Sequence, residues 1–159
     1  MSSSQSQKFR SICLLTVLLV VFGDGPSCEK GEPSTCKEFF SLPLEQHERV
    51  LRSYALDKQI EIYRCGMDRH PPELSLAYVI ASGGEKTIPI LLTKLHKERD
   101  EWMQNAFIYV FLIMSRHGDL RGRHDVADQL KQIVSHMRTP QIREEAQEAI
   151  TEIDNNVNK

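Results

Sequence analysis

The sequence lacks an apolar stretch long enough to cross a lipid bilayer. Its two most apolar runs, residues 12–22 and 106–114, cover 11 and nine positions, whereas a spanning helix needs about 20. Charged residues flank the second run, with Asp100 and Glu101 before it and Arg116 and His117 after it. This arrangement predicts the central, buried helix of an all-α domain rather than a membrane helix or a strand.

A predominance of one charge is also missing. The chain has 20 Lys and Arg against 22 Asp and Glu, a net charge of −2, and the two signs are interspersed. A protein that binds nucleic acid needs a basic face to meet the phosphates. Nucleic acid is therefore not an expected partner.

The chain has none of the motifs that mark common active sites and cofactor sites. It contains no GxSxG, no phosphate-binding P-loop, no GxGxxG and no HExxH,. We therefore predict no catalytic residue, no cofactor and no metal site, and a non-catalytic binding protein. A small enzyme or ligand-binding protein with a pocket between helices is the alternative.

The first 27 residues have the three parts of a secretory signal peptide. Lys8 and Arg10 precede the apolar run at 12–22, and small, turn-prone residues follow it at 23–27. Residues 1–27 are therefore predicted to direct export to the periplasm or the extracellular space. The alternative is an uncleaved segment that tethers the protein to the membrane.

Cysteine is rare, with four in the chain. Cys13 lies within the predicted signal peptide, so Cys28, Cys36 and Cys65 would remain, an odd number for an oxidising compartment. Cys28 directly follows the signal peptide and is a candidate for lipidation, although the residues before it fit that pattern poorly. A disulfide between Cys36 and Cys65 is favoured, with Cys28–Cys36 as the alternative, and no Cys/His spacing supports zinc.

Three further segments follow the signal peptide. Residues 28–42 show no periodicity and predict an extended arm that docks through Phe39 and Phe40. Residues 43–154 carry apolar side chains at helical spacing, punctuated by Pro and Gly, and predict six to seven helices without a strand. Residues 155–159 are predicted to form a frayed tail.

Two helix pairs in the second half of the domain repeat each other. Matched residues lie 40 apart in the second helices and 39 apart in the first helices: Trp102 with Ile142, Ala106 with Ala146, Val110 with Ile150, Ile113 with Ile153, Leu91 with Leu130, and Leu95 with Val134. The predicted capping residues Asp100 and Thr139 also match.

This repeat resembles the helix pairs of HEAT-like, armadillo-type domains. The resemblance implies a short stack of helix pairs that presents helix surfaces or loops to other proteins. An irregular helical bundle is the alternative architecture.

The charged loop between the two matched pairs is the candidate interaction surface. It carries the interaction candidates Arg116, His117, Arg121, Arg123 and His124. The expected partner is another exported or envelope protein, and the three arginines disfavour a bound cation.

Two other residues are interpreted as having no role in binding. Trp102 lies near a helix start, where we expect a core residue or a hydrophobic staple rather than a residue that stacks on a ligand. His47 lies between Glu45 and Glu48 in the sequence, and this pattern predicts that it is on a polar helix face.

Overall fold

The computed structural model describes residues 33–159, so the predictions for residues 1–27 and for Cys28 lie outside the described residues. The described part of the chain forms α-helices and one short 3₁₀ helix and contains no strand, which confirms the all-α prediction. The elements are α1 (Ser34–Phe40), α2 (Leu44–Leu51), α3 (Leu56–Met67), α4 (Leu76–Ala81), a 3₁₀ helix (Gly84–Thr87), α5 (Ile88–Lys97), α6 (Glu101–His117), α7 (His124–Ser135) and α8 (Pro140–Val157). Within residues 33–159, no helix has both the length and the apolarity that crossing a bilayer requires.

Helix α6 is the central helix that the sequence predicts. The Asp100 side chain accepts hydrogen bonds from the backbone N–H groups of Trp102 (2.9 Å) and Met103 (3.3 Å) and so caps the first turn,. Gly118 ends the helix in the left-handed conformation, with φ 86°,. Every side chain at 110–115 is buried, because neighbouring helices cover several faces of α6.

The prediction of an extended arm at residues 28–42 is wrong for its described part. Residues 34–40 form α1, in which Phe39 is buried and Cys36 joins Cys65 of α3 in a disulfide. This is the pairing that the sequence favours. Closing a loop of this length is expected to stabilise the fold by about 3 to 4 kcal/mol through the entropy of the unfolded chain. A short segment without clear periodicity becomes helical here because the covalent link and the burial of Phe39 hold it against α3.

The predicted frayed tail is also mostly helical. Helix α8 continues to Val157, whose side chain is 2% exposed, and the Val157 carbonyl accepts a hydrogen bond from the Gly122 N–H at 2.9 Å. The tail is therefore held by a buried side chain and by the loop that precedes α7.

The helix pairs α5/α6 and α7/α8 share local hydrogen bonds as well as sequence spacing. Side chains bond main-chain carbonyls in two matched sets: Gln104 to Glu98 (2.9 Å) with Arg143 to Met137 (3.2 Å), and His96 to Leu92 (2.8 Å) with His136 to Gln132 (2.7 Å). The members of each set lie 39 or 40 residues apart. The caps of the two second helices differ, because Asp100 caps α6 through its side chain, whereas Thr139 occupies the N-cap position of α8 without a capping hydrogen bond from its side chain.

Helices α6 and α8 pack against each other along their length, and we call this interface the seam. The small side chains of Ala106 and Ala146 are both buried, which allows the backbones to approach closely. Polar contacts follow the same seam, with Asn105 donating to Glu145 at 3.1 Å and Asn156 donating to the Ser115 hydroxyl at 3.2 Å. The seam positions the exposed side chains of α6 beside those of α8.

Candidate protein-interaction groove

The structure places the five predicted interaction residues in three different parts of the chain. Arg116 and His117 form the last turn of α6, and His124 begins α7. Arg121 and Arg123 lie in the connection between these helices. Leu120 within the connection is fully buried, whereas Arg121 next to it is exposed.

Two of the five residues are engaged within the chain. Arg116 donates to both carboxylate oxygens of Glu152, at 2.7 and 2.9 Å, and Arg123 donates to both oxygens of Asp125 at 2.9 Å. These hydrogen bonds raise the pKa of each guanidinium and lower the pKa of each carboxyl group. His117, Arg121 and His124 are exposed and make no hydrogen bond or ion pair through their side chains with the rest of residues 33–159.

A groove of about 380 Å³ lies along the seam between α6 and α8 and reaches the end of α3. We call it the aromatic groove and define it by the lining residues that carry the argument: Leu74, Trp102, Tyr109, Arg116, Glu145 and Glu148. Of the five interaction candidates, Arg116 is the one that reaches this groove.

Exposed apolar surface is concentrated at this groove. Four large hydrophobic side chains are exposed in the described part of the chain, and two of them, Leu74 (46%) and Trp102 (39%), line the groove. A third, Tyr78 (45%), hydrogen-bonds Tyr109. The interpretation of Trp102 as a core residue is therefore wrong, because its position in the first turn of α6 places the indole at the edge of the seam.

The pairing of the two tyrosines joins α4 to the groove. The hydrogen bond with Tyr78 raises the pKa of Tyr109, partial burial raises it further, and the Arg116 guanidinium opposes the shift. Tyr109 therefore presents an aromatic face rather than a charge to the groove,.

Carboxylates form the α8 side of the groove. Glu145, Glu148 and Glu152 lie on one face of α8 at helical spacing and all line the groove,. Glu152 is neutralised by Arg116, whereas Glu148 is exposed and makes no ion pair within residues 33–159. The groove thus combines apolar surface with a net negative edge.

The most buried titratable pair in the described residues is structural. His47 is not on a polar face as the sequence predicts: its side chain is 6% exposed, and its Nδ1 lies 2.7 Å from Glu73 Oε1. The other ring nitrogen, Nε2, donates to the Leu42 carbonyl at 3.0 Å. Because both ring nitrogens are occupied, neither is open to take a proton from a substrate.

No group of three or more His, Cys, Asp or Glu side chains within residues 33–159 is arranged to hold a metal ion. Comparison of the chain with family models, with curated proteins and with solved structures gives no match.

Proposed function

We propose that the protein is an exported, non-catalytic HEAT-like helical-repeat protein that binds another exported or envelope protein. The repeat assignment is supported by two helix pairs whose apolar residues and side-chain hydrogen bonds recur at 39 to 40 residues. In stacks of this kind each pair contacts its neighbours, and the aligned second helices form an extended binding face. Helices α6 and α8 hold that position here.

Export is supported by the signal-like residues 1–27 and by the disulfide between Cys36 and Cys65, because such bonds persist in oxidising compartments,. A tether through an uncleaved segment, or through a lipid on Cys28, is compatible with the same evidence. A reporter enzyme fused to Lys159 tests this part of the proposal: activity outside the cytoplasm is expected, and activity confined to the cytoplasm would exclude export.

The binding face is the aromatic groove, and the observation that carries this assignment is the exposed Trp102 and Leu74 beside an acidic edge. Tryptophan is enriched among residues that dominate binding energy, since it buries a large apolar area at low entropic cost. The complementary partner is a protein segment that places an apolar side chain on Trp102 and a Lys or Arg beside Glu145 and Glu148.

Selection from a displayed peptide library tests the proposal with a defined probe. The expected peptides pair an aromatic or aliphatic residue with a nearby Lys or Arg. Trp102→Ser should abolish their binding, and Glu145→Gln with Glu148→Gln should weaken it and reduce its dependence on salt.

Leu44→Ser is the matched control, because Leu44 is 67% exposed but does not line the groove. It should leave peptide binding unchanged. Equal loss of binding in the Leu44 and Trp102 variants, or selected peptides without basic residues, would exclude this groove as the binding face.

A further inference from the structure

A second groove, of about 600 Å³, lies where the two matched helix pairs meet. It is formed by the ends of α5 and α7 and by the segments that begin α6 and α8. We call it the basic groove and define it by His96, Arg99, Glu101, Gln132, His136 and Arg138, all of which line it. None of the sequence predictions points to this site.

The two arginines of the basic groove occupy equivalent positions in the two helix pairs. Arg99 directly precedes the N-cap Asp100 of α6, and Arg138 directly precedes the N-cap Thr139 of α8. Both side chains are exposed, and neither makes an ion pair or a side-chain hydrogen bond within residues 33–159. The groove therefore contains two guanidiniums whose donors are available to a ligand.

The single carboxylate of the groove is already engaged. One Glu101 oxygen accepts the Arg138 backbone N–H at 2.6 Å, and the other accepts the Thr139 backbone N–H at 2.8 Å. These hydrogen bonds hold the pKa of the Glu101 carboxyl below its ordinary value. Glu101 thus bonds the backbone at the start of α8 and makes no direct ion pair with a guanidinium, although the Arg138 charge also lowers its pKa, and the two arginines outnumber it.

The side chain of Gln132 supplies a further donor to the groove,. Each histidine donates through Nδ1 to a carbonyl of its own helix, so Nε2 of His96 and His136 adds no donor when the imidazole is neutral,. The side-chain amide of Gln132 is unbonded within this part of the chain. A ligand that accepts hydrogen bonds on several oxygens would meet donors from both helix pairs.

We propose that the basic groove binds the phosphate or sulfate group of a small soluble ligand, with Arg99 and Arg138 donating to its oxygens. Arginine forks match the oxygens of such tetrahedral anions and can bond two at once. The chain as a whole has a net charge of −2, whereas the side chains that line this groove carry a net positive charge. Its position between repeats, separate from the aromatic groove, makes this site independent of the protein-binding proposal.

Titration of the purified protein with sodium sulfate and with inorganic phosphate, followed through the arginine side-chain N–H signals in NMR spectra, tests the proposal. Saturable shifts are expected for Arg99 and Arg138. The double variant Arg99→Gln, Arg138→Gln should weaken binding at least about tenfold, because each charged bond lost costs roughly that factor or more.

Arg121→Gln is the matched control, since it removes the same charge from an exposed arginine outside the groove. It should leave binding unchanged. Shifts spread evenly over the surface arginines, or equal weakening by Arg121→Gln, would overturn the proposal in favour of general charge attraction.

Two additional arms complete the design. If the double glutamine variant does not fold, Arg99→Lys with Arg138→Lys keeps the charge and should still weaken binding several-fold through loss of the planar fork. Vesicles of phosphatidylglycerol, compared with vesicles of phosphatidylcholine, distinguish a lipid headgroup from a soluble ligand. No sedimentation with either is expected, and sedimentation with phosphatidylglycerol that requires Arg99 and Arg138 would overturn the assignment to a soluble ligand.

Discussion

The imidazole of His47 and the carboxylate of Glu73 form a direct contact of 2.7 Å in the interior, 26 residues apart in the chain. The ring packs against Phe39 and Phe40, with centroid distances of 4.7 and 5.5 Å. The pair thereby ties α2 to the segment before α4 and covers the inner face of α1.

Replacing His47 with Ala is expected to lower the free energy of unfolding by about 3 kcal/mol, since it leaves Glu73 largely buried without its partner. Urea denaturation followed by circular dichroism measures the change. Arg49→Ala, on the exposed side of the same helix, should change it by less than about 0.5 kcal/mol. Equal stability of the two variants would contradict a structural role for the His47–Glu73 pair.

The central helix α6 can be predicted from the sequence because its signals are local. Asp100 caps it, Gly118 ends it, and the uncharged run between them predicts burial. His47 cannot be assigned in this way, because its neighbours Glu45 and Glu48 indicate a polar face and Glu73 lies far along the chain. Such a contact depends on how helices pack, which periodicity within one helix does not report.

The same contrast between local signals and contacts between helices applies to the candidate sites. The repeat at 39 to 40 residues reveals that Ala106 and Ala146 are equivalent, but not which exposed side chains the two helices bring together. Arg116 and Glu152 meet across 36 residues, and this contact takes Arg116 out of the free loop that the sequence indicates. The alignment of Arg99 with Arg138 was available from the same spacing and is the signal that could have identified the basic groove.

Replacing Ala146 with Leu is expected to destabilise the protein by about 1 to 3 kcal/mol, because the larger side chain cannot fit the fully buried seam with α6,. Gln147→Leu adds the same side chain on the exposed face of α8 and serves as the control. Thermal unfolding of both variants measures the difference. A stabilised Ala146 variant would mean that the seam contains unfilled space and that the small residues do not set the approach of the two helices.

Glu101 is expected to contribute to the acid sensitivity of the fold. Hydrogen bonds from the Arg138 and Thr139 N–H groups lower its pKa in the folded protein. Its contribution to stability is therefore complete above the unfolded pKa of glutamate and is lost as the pH falls through the lowered folded pKa. Melting temperatures measured from about pH 6 to about pH 3 should fall less steeply for Glu101→Gln than for the wild type.

Glu144→Gln is the control for this titration, since Glu144 is an exposed glutamate on α8 without a hydrogen-bond partner in the described residues. Its profile should parallel that of the wild type. A Glu101→Gln profile that also parallels the wild type would show that the bridge from α6 to the start of α8 does not stabilise the fold.

Replacing Arg121 with Glu tests whether the binding face is the aromatic groove or the loop between α6 and α7. Arg121 is exposed and unpaired within residues 33–159, so Arg121→Glu should change the free energy of unfolding by less than about 0.5 kcal/mol,. It should also leave binding of the peptides selected on the aromatic groove intact, because Arg121 does not line that groove. Loss of peptide binding in Arg121→Glu, with unfolding unchanged, would move the interaction face to the loop between α6 and α7.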